Sequence, residues 1–87
     1  MTTTWRKKLE EMMEDTGDNF DELVTTLTEE ELDIEFDGGY GICRGVPFTA
    51  WSKKFVYFPI TYDGAEWVGH APRNVCEIKM EHQGGGN

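Results

Sequence analysis

The sequence predicts an α+β domain with two or three N-terminal helices packed on a three- to four-stranded antiparallel meander. Two observations carry that reading. Apolar residues recur at helical spacing through the first third of the 87-residue chain, and aromatic and β-branched residues alternate through the second half. In the first segment Trp5, Leu9, Met12 and Met13 form one helical stripe opposite Arg6, Lys7, Glu10, Glu11 and Glu14, and Gly17 is the expected stop. Asp18 is read as the cap of a second helix, in which Phe20, Leu23, Val24 and Leu27 share a face. Thr28 and Glu31 have the spacing of a capping box, and a short helix is expected from there to a point before Gly38-Gly39.

The strands follow. Phe48–Trp51 is a short one. Residues 55–62 place Val56, Phe58, Ile60 and Tyr62 on one face, and Asp63-Gly64 predicts a tight hairpin into a returning strand over 66–70. Pro59 lacks an amide donor, which predicts an open edge or a bulge at that point. Cys76, Ile78 and Met80 alternate with Glu77, Lys79 and Glu81, the pattern of a last, half-buried strand. Residues 1–82 are read as a single domain and 83–87 as a flexible glycine-rich tail. A domain of this length has a thin core, so modest stability or support from a homo-oligomer is expected.

Charge divides the chain. The net charge is −9, yet residues 1–37 carry 13 acids against 3 bases while residues 38–87 carry 4 acids against 5 bases. Such a coat repels duplex nucleic acid but leaves the second half open to a small anion. The N-terminus has no apolar signal core and no run approaches a membrane span, so a cytoplasmic protein with two reduced cysteines is expected.

Motifs for chemistry are sparse. Asp33, Glu35, Asp37 and Gly38 imitate the start of a calcium loop, but the twelfth position is Arg44 where a bidentate acid is required. Cys43, His70, Cys76 and His82 lack the paired spacing of a zinc site. Nucleophile elbow, P-loop and dinucleotide fingerprint are all missing, so neither enzyme, metal nor cofactor is expected. The richer stretches are the glycine loop 38–45 and the turn Ala71–Asn74. With Tyr40, Trp51 and Trp67 as stacking rings and Arg44, Arg73 and Asn74 as polar anchors, they compose a candidate site for a nucleotide-like ligand. The competing reading is an acidic face at Glu29, Glu30, Glu31 and Asp33 that imitates nucleic acid and blocks a basic protein surface. An acidic helix face is more often simply solvated.

Glu35–Gly41, Gly45–Trp51, Val56–Pro59, Tyr62–Val68 and Pro72–Asn74 together resemble a family of small accessory proteins encoded by tailed phages and prophages of gut bacteria. The resemblance implies a setting, counter-defence in the cytoplasm of an infected bacterial host, and no activity. A protein in that setting either blocks a defence protein directly or sequesters the nucleotide signal that activates it.

Overall fold

A computed structural model describes residues 2–37, 45–62 and 65–83. The chain runs β1 (Thr2–Thr3), α1 (Trp5–Thr16), a 3₁₀ turn (Phe20–Glu22), β2 (Val24–Thr25), α2 (Glu29–Leu32), β3 (Phe36–Asp37), β4 (Ala50–Trp51), β5 (Phe55–Tyr62) and β6 (Ala65–Pro72). It is an α+β fold with a four-stranded antiparallel sheet in the order β2-β4-β5-β6 and a separate antiparallel pair, β1-β3.

Helix α1 has the ends its sequence asks for. The Thr4 hydroxyl accepts the Lys7 amide at 3.1 Å, and Gly17 closes the helix in the left-handed region at φ 78°. The stripe Trp5, Leu9 and Met13 is fully buried, with Met12 packed beside it, and α1 lies on β6. Trp5 is the centre of this contact. Its Nε1 donates to the Val46 carbonyl at 2.9 Å, and its ring lies 4.8 Å from that of Phe36 and 4.9 Å from that of Phe48. Gly45 is required at this place, because a Cβ there would stand 2.5 Å from the indole. Its amide donates to the buried carboxylate of Glu66 at 3.1 Å.

The second predicted helix is not formed. Asp18 is committed to the sheet, and Asn19 caps only the single turn Phe20–Glu22. The β-branched run that follows then gives β2, since Val24, Thr25 and Thr26 fit a pleated strand better than a helix. Both halves of the Thr28/Glu31 capping box are present at 3.0 and 2.9 Å, but α2 ends at Leu32. Phe36 and Asp37 instead pair with Thr3 and Thr2.

Register sorts the sheet into two faces. Thr25, Ala50, Tyr57 and His70 line up across the four strands on the face that meets α1, where Ala50 and Tyr57 have no exposed surface. Val24, Trp51, Val56 and Ala71 line up on the other face. Pro59 pairs with Val68, and β4 reaches only as far as Tyr57, so the side of β5 at Pro59 has no strand beside it among the described residues.

The predicted last strand is absent. Pro72 ends β6, the Arg73 amide turns back to the Lys54 carbonyl at 2.8 Å, and residues 76–81 run without strand pairing. Further on, Gln83 bonds to the sheet, its side-chain oxygen accepting the His70 amide at 3.3 Å. The Asp63-Gly64 turn, most of the glycine loop and the glycine-rich tail lie outside the described residues.

Candidate functional site

Where α1 ends against the sheet, a polar knot takes the place of apolar contact. Tyr57 gives its hydroxyl proton to Asp18, and Thr16 donates to the phenol oxygen at 2.8 Å. Ser52 donates to the same Asp18 oxygen at 2.6 Å while its own hydroxyl oxygen accepts the Lys54 and Phe55 amides at 3.2 and 3.0 Å. The serine therefore shapes the turn between β4 and β5 and ties it to the helix end. Burial, and then the neighbouring Asp18 carboxylate, push the Tyr57 hydroxyl up from about 10 to about 12. A raised folded-state value stabilises the fold below the unfolded value and is lost above it. Stability is thus expected to hold up to about pH 10 and to fall between there and about pH 12 as Tyr57 ionises. Urea unfolding across that range should show the fall in the wild type and a shallower one in Tyr57→Phe; identical slopes would refute the assignment.

This knot sets up the surface beyond it. Arg73 is drawn in by two bonds, its amide to Lys54 and its Nη1 to the Ser52 carbonyl at 2.9 Å. The turn 52–54 and the segment after β6 are thereby zipped together. Between them is a slot of about 210 Å³ lined by Lys53, Lys54, Phe55, Asn74, Cys76 and Ile78. Phe55 forms the inner wall, its ring held edge-on by His70 at 5.4 Å. Among the described residues Lys53, Lys54 and Arg73 have no ion pair, and the Arg73 backbone and guanidinium are tied to the turn that carries the two lysines.

The residues expected from sequence fall into three groups. Tyr40 and Arg44 lie outside the described residues. Trp51 and Trp67 are on the same sheet face, but Trp51 aligns through Val56 with Ala71, four residues along β6 from Trp67. That separates the two positions by about 13 Å along the strand and about 10 Å across it, too far to clasp one ring. Arg73 and Asn74 do come together with the slot. Lys53, Lys54, Phe55, Cys76 and Ile78 were not counted among the ligand-binding residues from sequence. The available signal was the only consecutive basic pair after residue 8, placed directly before an aromatic strand.

Part of the acidic face is engaged by its own chain, although its carboxylates stay exposed. Arg6 binds Asp33 at 2.7 Å and Glu29 at 2.7 Å, and Glu31 closes the capping box. Hydrogen bonds to Asp33, and then to Glu29, hold the Arg6 guanidinium further into its charged range, and Arg6 in turn lowers the Asp33 carboxyl. Of the four acids only Glu30 has no such task. A larger hollow of about 350 Å³ beside them is lined by the carboxylates of Glu10, Asp21 and Glu29, by Arg6, which is already ion-paired, and by apolar side chains such as Phe20 and Leu27. It does not suit an anion.

Among the described residues no group of three or more His, Cys, Asp or Glu is placed to hold a metal ion, and no helix is long and apolar enough to cross a membrane. No family model, curated protein or solved structure matches the chain.

Proposed function

We propose that this chain is a non-enzymatic binding protein that captures a small anionic, nucleotide-like ligand in the slot between the Lys53-Lys54 turn and residues 74–78. The observation that carries the reading is the convergence of Lys53, Lys54 and Arg73, none ion-paired among the described residues, beside the ring of Phe55 in a chain of net charge −9. In an otherwise acidic protein such a cluster repels itself, and an anion relieves that repulsion. The setting we assign is a phage accessory protein, a homo-oligomer in the cytoplasm of an infected bacterial host, that withholds a nucleotide signal from a defence system. The alternative, an acidic surface that blocks a defence protein, has less to offer a partner once Arg6 and the capping box have claimed Glu29, Glu31 and Asp33.

The lysines are the clean probes, because Arg73 also anchors the turn through Ser52. In isothermal titration with a panel of linear and cyclic nucleotides at low salt, Lys53→Ala/Lys54→Ala is expected to weaken the tightest ligand about tenfold. Exchange of Glu29, Glu30 and Glu31 for lysine should not weaken it. A wild-type chain that binds none of the panel, or a double variant that binds as the wild type does, would overturn the reading.

A further inference from the structure

We infer, resting on the reading above, that the slot takes the planar base of a nucleotide and that its phosphate stays outside, on the cationic rim. The walls decide the orientation. Phe55, Cys76 and Ile78 offer apolar surface, and the lysine stems extend it, while the ammonium groups end flexible chains that reach outward. A bare phosphate gains nothing from such walls, since burying charge against carbon is costly. A flat ring gains apolar contact there, with Phe55 already packed edge to face with His70.

Size leads to the same division. At about 210 Å³ the slot falls below the roughly 300 Å³ from which pockets enclose whole ligands, so one part of the molecule enters and the remainder stays at the mouth. Asn74 lines the slot and has no hydrogen-bond partner among the described residues. Its amide offers a donor and an acceptor side by side, the arrangement that reads the edge of a base. The recognised class is therefore a phosphorylated nucleoside, gripped by one base and one phosphate.

The test compares the four nucleoside 5′-monophosphates with ribose 5-phosphate and inorganic phosphate on the full chain. The best monophosphate is expected to bind about tenfold tighter than ribose 5-phosphate, the size of one base-stacking contact. Cys76→Trp fills the slot from an exposed position and should reduce that monophosphate to the level of ribose 5-phosphate, whose own binding stays unchanged. Val75→Trp, at a fully exposed neighbour, should alter neither. Equal binding of ribose 5-phosphate and every monophosphate, or a Cys76→Trp chain that keeps the difference, would overturn the base-in-slot arrangement while the anion site survives. A wild type that binds none of the six compounds but does bind a cyclic or longer nucleotide would overturn the base-in-slot arrangement alone, and one that binds neither set would remove both.

Discussion

Asp18→Ala is expected to destabilise the fold by about 2–4 kcal/mol, because two buried hydroxyls lose their acceptor at once. Tyr57 has no exposed surface and Ser52 almost none, so water does not replace the carboxylate without a rearrangement. For a domain of this size the cost corresponds to a fall in Tm of roughly 10–30 °C. The same side chain positions the β4–β5 turn, so near-UV circular dichroism should weaken more than the far-UV signal as α1 loses its fixed seat on the sheet. Asp18→Asn keeps an acceptor oxygen and should recover part of the loss. A thermal melt of Asp18→Ala within a degree or two of the wild type would show that the knot contributes nothing.

Trp5→Ala is expected to cost about 3–5 kcal/mol, from lost burial and from the cavity left between Phe36 and Phe48. A chain of 87 residues has only about 4–13 kcal/mol in total, so the variant should be substantially unfolded at 37 °C. Trp5→Phe separates the contributions. It keeps most of the ring contact and gives up the bond to the Val46 carbonyl, for a loss of about 1–2 kcal/mol in urea unfolding. A cost below 1 kcal/mol for the alanine variant would mean that Trp5 is not the centre of the core.

Helix α1 and the β5–β6 ribbon were legible because each is specified locally. Thr4 and Gly17 bracket a stripe with the period of a helix, and residues 55–72 alternate with the period of a strand. Elsewhere the periodicity misled. Phe20, Leu23, Val24 and Leu27 share a helical face on paper, but Asp18 is worth more to Tyr57 and Ser52, 39 and 34 residues away, than as a cap. Cys76, Ile78 and Met80 alternate like a strand, yet Arg73 turns the chain away from the sheet before it can pair. The candidate site shows the same limit. Arg73 and Asn74 were visible as a polar turn after a strand, whereas the partnership of that turn with Lys53 and Lys54 exists only once β5 and β6 are side by side.

The seat of α1 has a consequence for how the protein is made. The helix is synthesised ahead of the sheet, and the surface that buries Trp5, Leu9 and Met13 is completed by β6, some fifty residues later. Twelve residues of isolated helix are marginal in water. The nascent N-terminal segment therefore waits as a fluctuating, strongly acidic chain whose like charges keep it from collapsing on itself. The β5–β6 ribbon, whose partners are adjacent in sequence, forms on a microsecond scale once it is out. The apolar stripe of α1 is therefore buried only after β6 has been made, so a segment synthesised ahead of the sheet becomes structure together with it.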